Sequence, residues 1–248
     1  VHVAFARAAL HDAQVAILHT TAGGVGLISI EYARLLAAEV HATAGGRTKH
    51  RVLHGLTQRH SHSSRSGGAF ALGISRAMTA RRCHLVLNSL SADLTAVSFA
   101  VLAQSANFME IGKRGVWSHE RAGRCEGHDL RMGVLAIDDE LSSKPSWMQR
   151  HLALLAQRTA NGMLHSLPLA VFDAWRSYEA AFRLLQSGSN VGKVVLRITR
   201  VAADMSQQLA PPSGPVITGG TGVLGMLTAQ WLAKQGAASV VLASRSGL

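Results

Sequence analysis

Over the first fifty residues the apolar positions change period twice, and each change predicts an element. Residues 15–18, VAIL, form an unbroken apolar run, the pattern of a strand buried on both faces of a parallel sheet. Gly23, Gly24 and Gly26 follow, and Val25, Ile28, Tyr32, Leu35 and Leu36 then recur at helical spacing. Ahead of the run, Val3, Phe5, Ala6, Ala9 and Leu10 give residues 1–13 the apolar side of a helix. A strand, a glycine turn and a helix in this order make an anion cradle. Glycine lets the backbone turn tightly and approach a ligand, and the helix start points unpaired N–H groups back at the turn. Residues 39–43 predict the second parallel strand, ending at Thr43.

The same reading continues along the chain. Residues 53–68, rich in His, Ser and Gly, predict loops around a short strand. Helices are expected at 69–79 and 94–102, and strands at 85–87, 108–111 and 132–137, the last ending at Asp138 and Asp139. A helix over 147–160 would bury Leu152, Leu155 and Ala156, and one over 178–185 would bury Ala181, Phe182 and Leu185. Strands at 167–172 and 194–198 complete this part, and residues 199–214, ending in Pro211, Pro212 and Ser213, read as a linker. Then the opening pattern returns. A strand at 216–218 leads through Gly219, Gly220, Thr221, Gly222 and Gly225 into a helix at 224–234, beginning at Leu224, and a strand at 239–243. The alternation predicts an α/β fold: a Rossmann-type parallel sheet with helices on both faces over residues 1–198, plus a truncated second βαβ unit over 215–248. That second unit is either the start of another domain or an edge addition to the first.

Composition changes this picture little. The 248 residues are 48% hydrophobic with 24 glycines and 5 prolines, a globular balance. The net charge of +11 favours anionic ligands or an acidic neighbour, but the arginines are spread out and pairs such as Arg81 and Arg82 lack interleaved aromatics, which argues against nucleic acid. Two cysteines, Cys83 and Cys125, offer no disulfide framework, and no apolar segment approaches a membrane span. A non-exported, cytoplasmic protein is expected, and a start at Val1 without methionine suggests a piece of something longer.

Candidate chemistry gathers at predicted strand ends, which line the ligand crevice of a parallel sheet. Where an NAD-preferring site places an acid after the second strand, this chain has Ala44, Gly45 and Gly46, then Arg47, Lys49 and Arg51. That arrangement suits a 2′-phosphate and hence NADPH, the alternative being a solvated basic helix start. Asn88 and Ser89 end a strand, as cofactor contacts or as ordinary turn formers. Gly112 breaks another before Lys113 and Arg114, a cation pair that faces phosphate or an enolate oxygen, or is simply solvated. Arg245 ends the last strand where an adenosine phosphate could lie. His19 closes the first strand beside the glycine turn and reads as structural, the alternative being a hydrogen bond near the cofactor, while His54, His60 and His62 lack the cysteine partners of a typical zinc site.

Taken in order, these motifs resemble a known arrangement. HTTAGGVG at residues 19–26, ATAGGRTKHR at 42–51, SSRS at 63–66, VLNSL at 86–90, MEIGKR at 109–114 and VGKVVL at 191–196 are similar to the cofactor-binding half of the enoyl reductase domain of reducing polyketide synthases and animal-type fatty acid synthases, a branch of the medium-chain reductases. GGTGVLG and LASRSG, within residues 215–247, resemble the start of a ketoreductase domain. The resemblance implies NADPH-dependent reduction of an α,β-enoyl thioester carried on acyl carrier protein, with neighbouring synthase domains as partners and a homodimer as one possible assembly. It places Lys113 on the family's proton donor or enolate stabiliser, and Asp138, or else Asp139, on its acidic partner. It assigns Lys49, Ser64 and Arg65 to the adenosine phosphate. Gly23, Gly24, Val25, Gly26, Thr43, Asn88, Ser89, Leu90 and Gly112 would serve the cofactor, and Gly219, Thr221, Gly222, Leu224, Gly225 and Arg245 a second one. Gly115 stands where the family continues with Asp, and Gln104, Ser105, Ala106 and Asn107 replace its proline and glycines. The family's substrate-side barrel and the ketoreductase Ser, Tyr and Lys are not among these residues, so the chain is expected to be half an enzyme. A structural module of a synthase, or a free-standing quinone or alcohol reductase, are the rival readings.

Overall fold

The structure, a computed structural model, describes residues 1–57, 60–79, 81–90, 93–113, 115–123, 131–198 and 214–245. Residues 1–197 form one compact unit and residues 198–248 another. Arg114, Cys125 and nearly all of the expected linker lie outside the described residues.

Six parallel strands make the sheet of the first unit: β1 (Val15–Leu18), β2 (Glu39–Ala44), β3 (Ser61–Ser63), β4 (Cys83–Asn88), β5 (Leu102–Glu110) and β6 (Arg131–Val134). Their order is β3-β2-β1-β4-β5-β6. The chain reverses direction of travel between β1 and β4, and a crevice opens at their C-terminal ends. All four residues of β1 are buried, as the unbroken apolar run requires. Alternate side chains serve opposite faces. Ala16, Leu18, Leu85, Leu87 and Met109 pack with α1 (His2–Arg7) and α2 (Gly24–Leu35) through Phe5, Ile30, Tyr32 and Ala33. Val15, Ile17, Val86 and Phe108 pack with α4 (Gly67–Ala77) and α5 (Asp93–Ala100) through Phe70, Ile74, Leu94 and Phe99. Burial of each such large side chain contributes about 1.5–3 kcal/mol.

Several expectations are corrected. The first helix stops at Arg7, because Ala9 and Ala13 turn through φ 48° and 60°. A helix, α3 (Arg47–Leu56), takes in residues 53–56 of what reads as loop, anchored by buried Leu53, and β3 is the short strand expected there. The residues expected to turn before Phe108 lie inside β5, whose register against β4 shifts there and whose Ser105 has φ 59°. After α6 (His119–Gly123), β6 ends at Val134, and Asp138 and Asp139 begin α7 (Ile137–Ser143) rather than ending a strand. Acids in a first turn suit the positive end of a helix. Glu140 of that turn accepts two bonds from Arg7, at 2.6 and 2.7 Å.

The α8 helix (Pro145–Ala160) meets the core through Leu155 and through Arg158, which donates to Tyr32 Oη at 2.8 Å, leaving Leu152 and Ala156 exposed. A separate parallel pair, β7 (Leu169–Asp173) and β8 (Lys193–Arg197), carries α9 (Tyr178–Ser187). Two strands cover only one narrow strip of that helix, so Ala181 is buried while Phe182 and Leu185 face outward. This pair is tied to the glycine turn: Gly192 N–H donates to Ala22 O at 2.9 Å.

In the second unit β9 (Val216–Thr218), α10 (Val223–Lys234) and β10 (Val241–Ala243) form a βαβ arrangement with its own two-stranded parallel sheet. Among the described residues no helix is long and apolar enough to cross a membrane.

Candidate functional site

The crevice is a cavity of about 430 Å³ whose walls include Gly23, Gly24, Val25, Gly26, Lys49, Ser64 and Ser89. One wall is the glycine turn. Gly23 caps α2 in an extended conformation with no side-chain cap, so N–H groups of the first helical turn stay available to an anion. The glycines have different reasons to be there. A Cβ on Gly26 would lie 2.3 Å from Thr21 Cα, so this residue lets helix and strand touch. A Cβ on Gly23 or Gly24 would meet nothing closer than 3.5 and 3.3 Å respectively, which leaves those two to the open side of the turn.

At the far end of the crevice stands a cationic corner. Lys49 rises from α3, and the Arg65 side chain crosses Gly45, where a Cβ would lie 2.5 Å from Arg65 Nε. Burial, and then the Arg65 charge, hold the Lys49 pKa below its usual value. Neither cation has an acidic partner among the described residues, and Ser64 adds a hydroxyl to the same corner. Two like charges kept together without a counter-ion suit a dianionic group.

Beneath the lining lies a layer of buried polar groups, and among the described residues each has a partner. Thr43 is buried and does not line the cavity; its hydroxyl accepts Thr20 N–H at 3.1 Å. Asn88, also buried, donates to Leu90 O at 2.8 Å and to Glu110 Oε2 at 2.5 Å, and Leu90 N–H returns a bond to Asn88 Oδ1 at 3.2 Å. Glu110 Oε1 accepts Gly112 N–H at 2.6 Å. Its carboxylate thus clamps the turns after β4 and β5 together, while burial raises its pKa. Asn88, Leu90 and Gly112 shape the crevice without facing it.

Lys113 follows that clamp, and its ammonium donates to Asp138 in the first turn of α7. Each partner strengthens the other's charge: the hydrogen bond raises the Lys113 pKa and lowers that of Asp138. Asp139 adds only its charge to Lys113. The pair is open to solvent, with side chains 75% and 58% exposed. Phe108, Phe99 and Trp117 stack in that order with centroids 4.3 and 5.1 Å apart, and Arg121 lies 4.1 Å over Trp117, which ties part of the segment after Lys113 to the core.

In the second unit Gly219 turns through φ 69°, Gly222 caps α10, and a Cβ on Gly225 would lie 2.5 Å from Gly219 O. Thr221, Leu224 and Arg245 are exposed there. Thr20, Ile111 and Asn190 line the first crevice although the sequence reading gave them no cofactor role, and His19 and Gly45 line it as well. Asn190 has no chain-order signal at all, since it arrives through the Gly192 bridge to the glycine turn.

Six strands in this order, a glycine turn at the switch point and a cationic corner after β2 can be compared with known proteins. The chain is 31% identical over 238 residues to a phenolphthiocerol/phthiocerol polyketide synthase of Mycobacterium tuberculosis, spanning 93% of the chain and 11% of that protein. It is 32% identical over 254 residues to lovastatin diketide synthase lovF of Aspergillus terreus, spanning 94% and 10%. The crystal structure of CurK enoyl reductase matches with a TM-score of 0.69 and 31% identity, covering 76% of this chain and 56% of that one. The chain's first unit is an enoyl reductase-like domain, homologous to the enoyl reductase domains of reducing polyketide synthases. The CurF ER cyclopropanase from the curacin A biosynthetic pathway also matches, with a TM-score of 0.72 and 25% identity over 79% of this chain and 59% of that one. The KR domain family matches residues 214–248, so the start of a ketoreductase domain follows the enoyl reductase portion. The chain spans about a tenth of the length of the synthases it matches.

Proposed function

We propose that residues 1–198 are the nucleotide-binding part of an NADPH-dependent enoyl reductase, and that residues 215–248, beyond a linker at 199–214, open a ketoreductase domain. In its synthase the reaction is reduction of the double bond of an α,β-enoyl thioester on acyl carrier protein, in the cytoplasm. The observation that carries the reading is the uncompensated Lys49 and Arg65 corner at the end of a glycine-lined crevice. The first helical turn of α2 holds the pyrophosphate, and Lys49, Ser64 and Arg65 hold the 2′-phosphate. NADPH bound there supplies hydride to the β-carbon of the thioester. Lys113, kept charged by Asp138, stabilises the resulting enolate oxygen or protonates the α-carbon. Glu110 holds the turn that presents Lys113. Exposed Leu169, Val171, Phe182 and Leu185 support a neighbouring synthase domain as partner.

Calorimetric titration with NADPH and NADH tests this. We expect NADPH to bind near one per chain and about 10–100-fold more tightly than NADH, the range of one or two charge-assisted hydrogen bonds, and Lys49→Ala to remove most of the difference. Folded protein that binds neither nucleotide would overturn the reading in favour of a structural module.

A further inference from the structure

His19 directly follows β1, with its ring buried and edge-on to Phe70, centroids 5.6 Å apart. Its two nitrogens reach two other elements: Nδ1 lies 3.2 Å from Thr43 Oγ1, and Nε2 lies 2.8 Å from Ser98 Oγ. The direction of every bond in this chain is forced from its two ends. Ser98 Oγ–H donates to Leu94 O at 2.7 Å, so the Ser98 oxygen must accept His19 Nε2–H. A neutral imidazole with Nε2 protonated has Nδ1 as acceptor, so Thr43 Oγ1–H donates to it. The Thr43 oxygen then accepts the backbone N–H of Thr20 at 3.1 Å. Burial drives the His19 pKa down to about 3, in keeping with a neutral ring.

The chain of bonds ends on a strained residue. Thr20 has φ 51°, a left-handed conformation that β-branched side chains rarely adopt. The second unit has a glycine at the equivalent position. Gly26 and Gly225 are equivalent, since a Cβ on the first strikes Thr21 and on the second strikes Gly219 and Gly220. Gly23 N–H donates to Thr20 O at 3.1 Å as Gly222 N–H donates to Gly219 O at 3.0 Å. Thr20 therefore corresponds to Gly219, which takes φ 69° without strain. In exchange, Thr20 offers a hydroxyl on the crevice wall: it donates to His19 O at 2.8 Å and lies 2.5 Å from Ser89 Oγ, across the gap where β1 and β4 diverge.

We infer that His19 and Thr43 are positioning residues that hold Thr20 in its left-handed conformation, so that Thr20 and Ser89 present a fixed pair of hydroxyls to the dinucleotide. This rests on the NADPH reading and adds to it the element that sets the seam between β1 and β4.

The test is a double-mutant cycle read by NADPH titration and thermal unfolding. Thr20→Gly removes strain and hydroxyl together: the chain stays at least as stable, and NADPH binds about tenfold more weakly, one hydrogen bond's worth. Thr43→Val cuts the link to Thr20 and weakens NADPH by a similar factor, and Thr43→Ser restores it. Added to Thr20→Gly, Thr43→Val costs less than about threefold more, because it acts through Thr20. Losses that multiply, or a Thr43→Ser that fails to restore, would overturn the inference. Should Thr43→Val not fold, the ring ¹⁵N shifts of His19 in the unmodified chain decide: a neutral Nε2–H form from about pH 8 to pH 5 upholds it, and an Nδ1–H form or a titration near the ordinary value overturns it. If the unmodified chain binds no NADPH, the proposed function fails, while the tautomer and the exchange protection of the Thr20 amide still judge this inference by themselves.

Discussion

Replacing each glycine of the first turn with alanine separates packing from ligand access. In Gly26→Ala the new methyl would sit 2.3 Å from Thr21 Cα, 2.5 Å from Thr21 O and 2.6 Å from Thr21 C. Ordinary carbon contacts lie at about 3.5–4.0 Å, so α2 must move away from the end of β1 by about 1.2–1.7 Å. All three obstacles are backbone, and Thr21 is itself pinned: its N–H bonds Thr43 O at 2.8 Å and its hydroxyl bonds Leu18 O at 2.6 Å. No side chain can rotate out of the way. Overpacking of this kind costs about 3 kcal/mol or more, which lowers the melting temperature of a unit of this size by about 6–12 °C. Gly24→Ala meets nothing closer than Leu167 Cδ1 at 3.3 Å, the end of a flexible side chain, with Gly192 O and Lys193 Cδ at an ordinary 3.8 Å, and gains helix propensity. Gly23→Ala meets Thr20 O at 3.5 Å and loses a favourable cap residue, about 1 kcal/mol or less. Scanning calorimetry at neutral pH should therefore rank Gly26→Ala far below the other two, which stay near the parent. A Gly26→Ala protein melting within about 2 °C of the parent, or a Gly24→Ala protein equally damaged, would refute the division of roles.

Acid should unfold the first unit early. Burial pulls the His19 pKa from 6.5 to about 3 and, with the neighbouring His41, His60 and His50 charges, that of His62 to about 4, so the unfolded chain binds the extra protons. Their contribution is complete above about pH 6.5 and is lost as pH falls towards the folded values; at pH 5 it costs about 2 kcal/mol for His19 and somewhat less for His62. Equal urea midpoints at pH 7.5 and 5, two points chosen on either side of about 6.5, would contradict this. Lys113→Ala in the parent synthase should abolish most enoyl reduction with the melting temperature unchanged, because an exposed ion pair contributes little to stability; unaltered turnover would remove the residue from the mechanism. Asp138 raises the Lys113 pKa, so Asp138→Asn should move the alkaline limb of the rate profile to lower pH, and a limb that stays in place would break the pair's assigned role.

What was legible in the sequence follows from how each feature is encoded. The run 15–18 and the glycines after it place β1, the turn and α2, because burial on both faces and close approach both leave local marks. Of the cationic corner, Lys49 is readable after the second strand end, whereas Arg65 comes only from the family resemblance, because its place beside Lys49 depends on the pairing of β2 with β3. Asp138 and Asp139 were misplaced on a strand because the apolar residues 134–137 span a strand end, a turn and a helix start, and periodicity cannot mark such a break. Asn190 and the Glu110 clamp were invisible, for each depends on contacts between segments distant in the chain. The histidines show the same limit. His41 and His62 are bonded at 3.0 Å and His41 and His60 stack 4.7 Å apart, because β2 and β3 are adjacent strands. Among the described residues no three His, Cys, Asp or Glu are arranged to hold a metal.

The two glycine motifs of this chain show why motif matching and physical reading part company. Both need glycine where helix crosses turn, at Gly26 and Gly225, because backbone stands in the way of any Cβ. At the left-handed corner the requirement is conformational, not steric: a Cβ on Gly219 would meet nothing within 4 Å. A clash between backbones cannot be repaired by a neighbour, whereas a disfavoured φ can be held by enough hydrogen bonds. The first unit supplies those bonds from Thr43 and His19, and threonine stands there instead of glycine. A pattern written in glycines scores that threonine as a departure. Read through its bonds, it is the position where the crevice gains a hydroxyl.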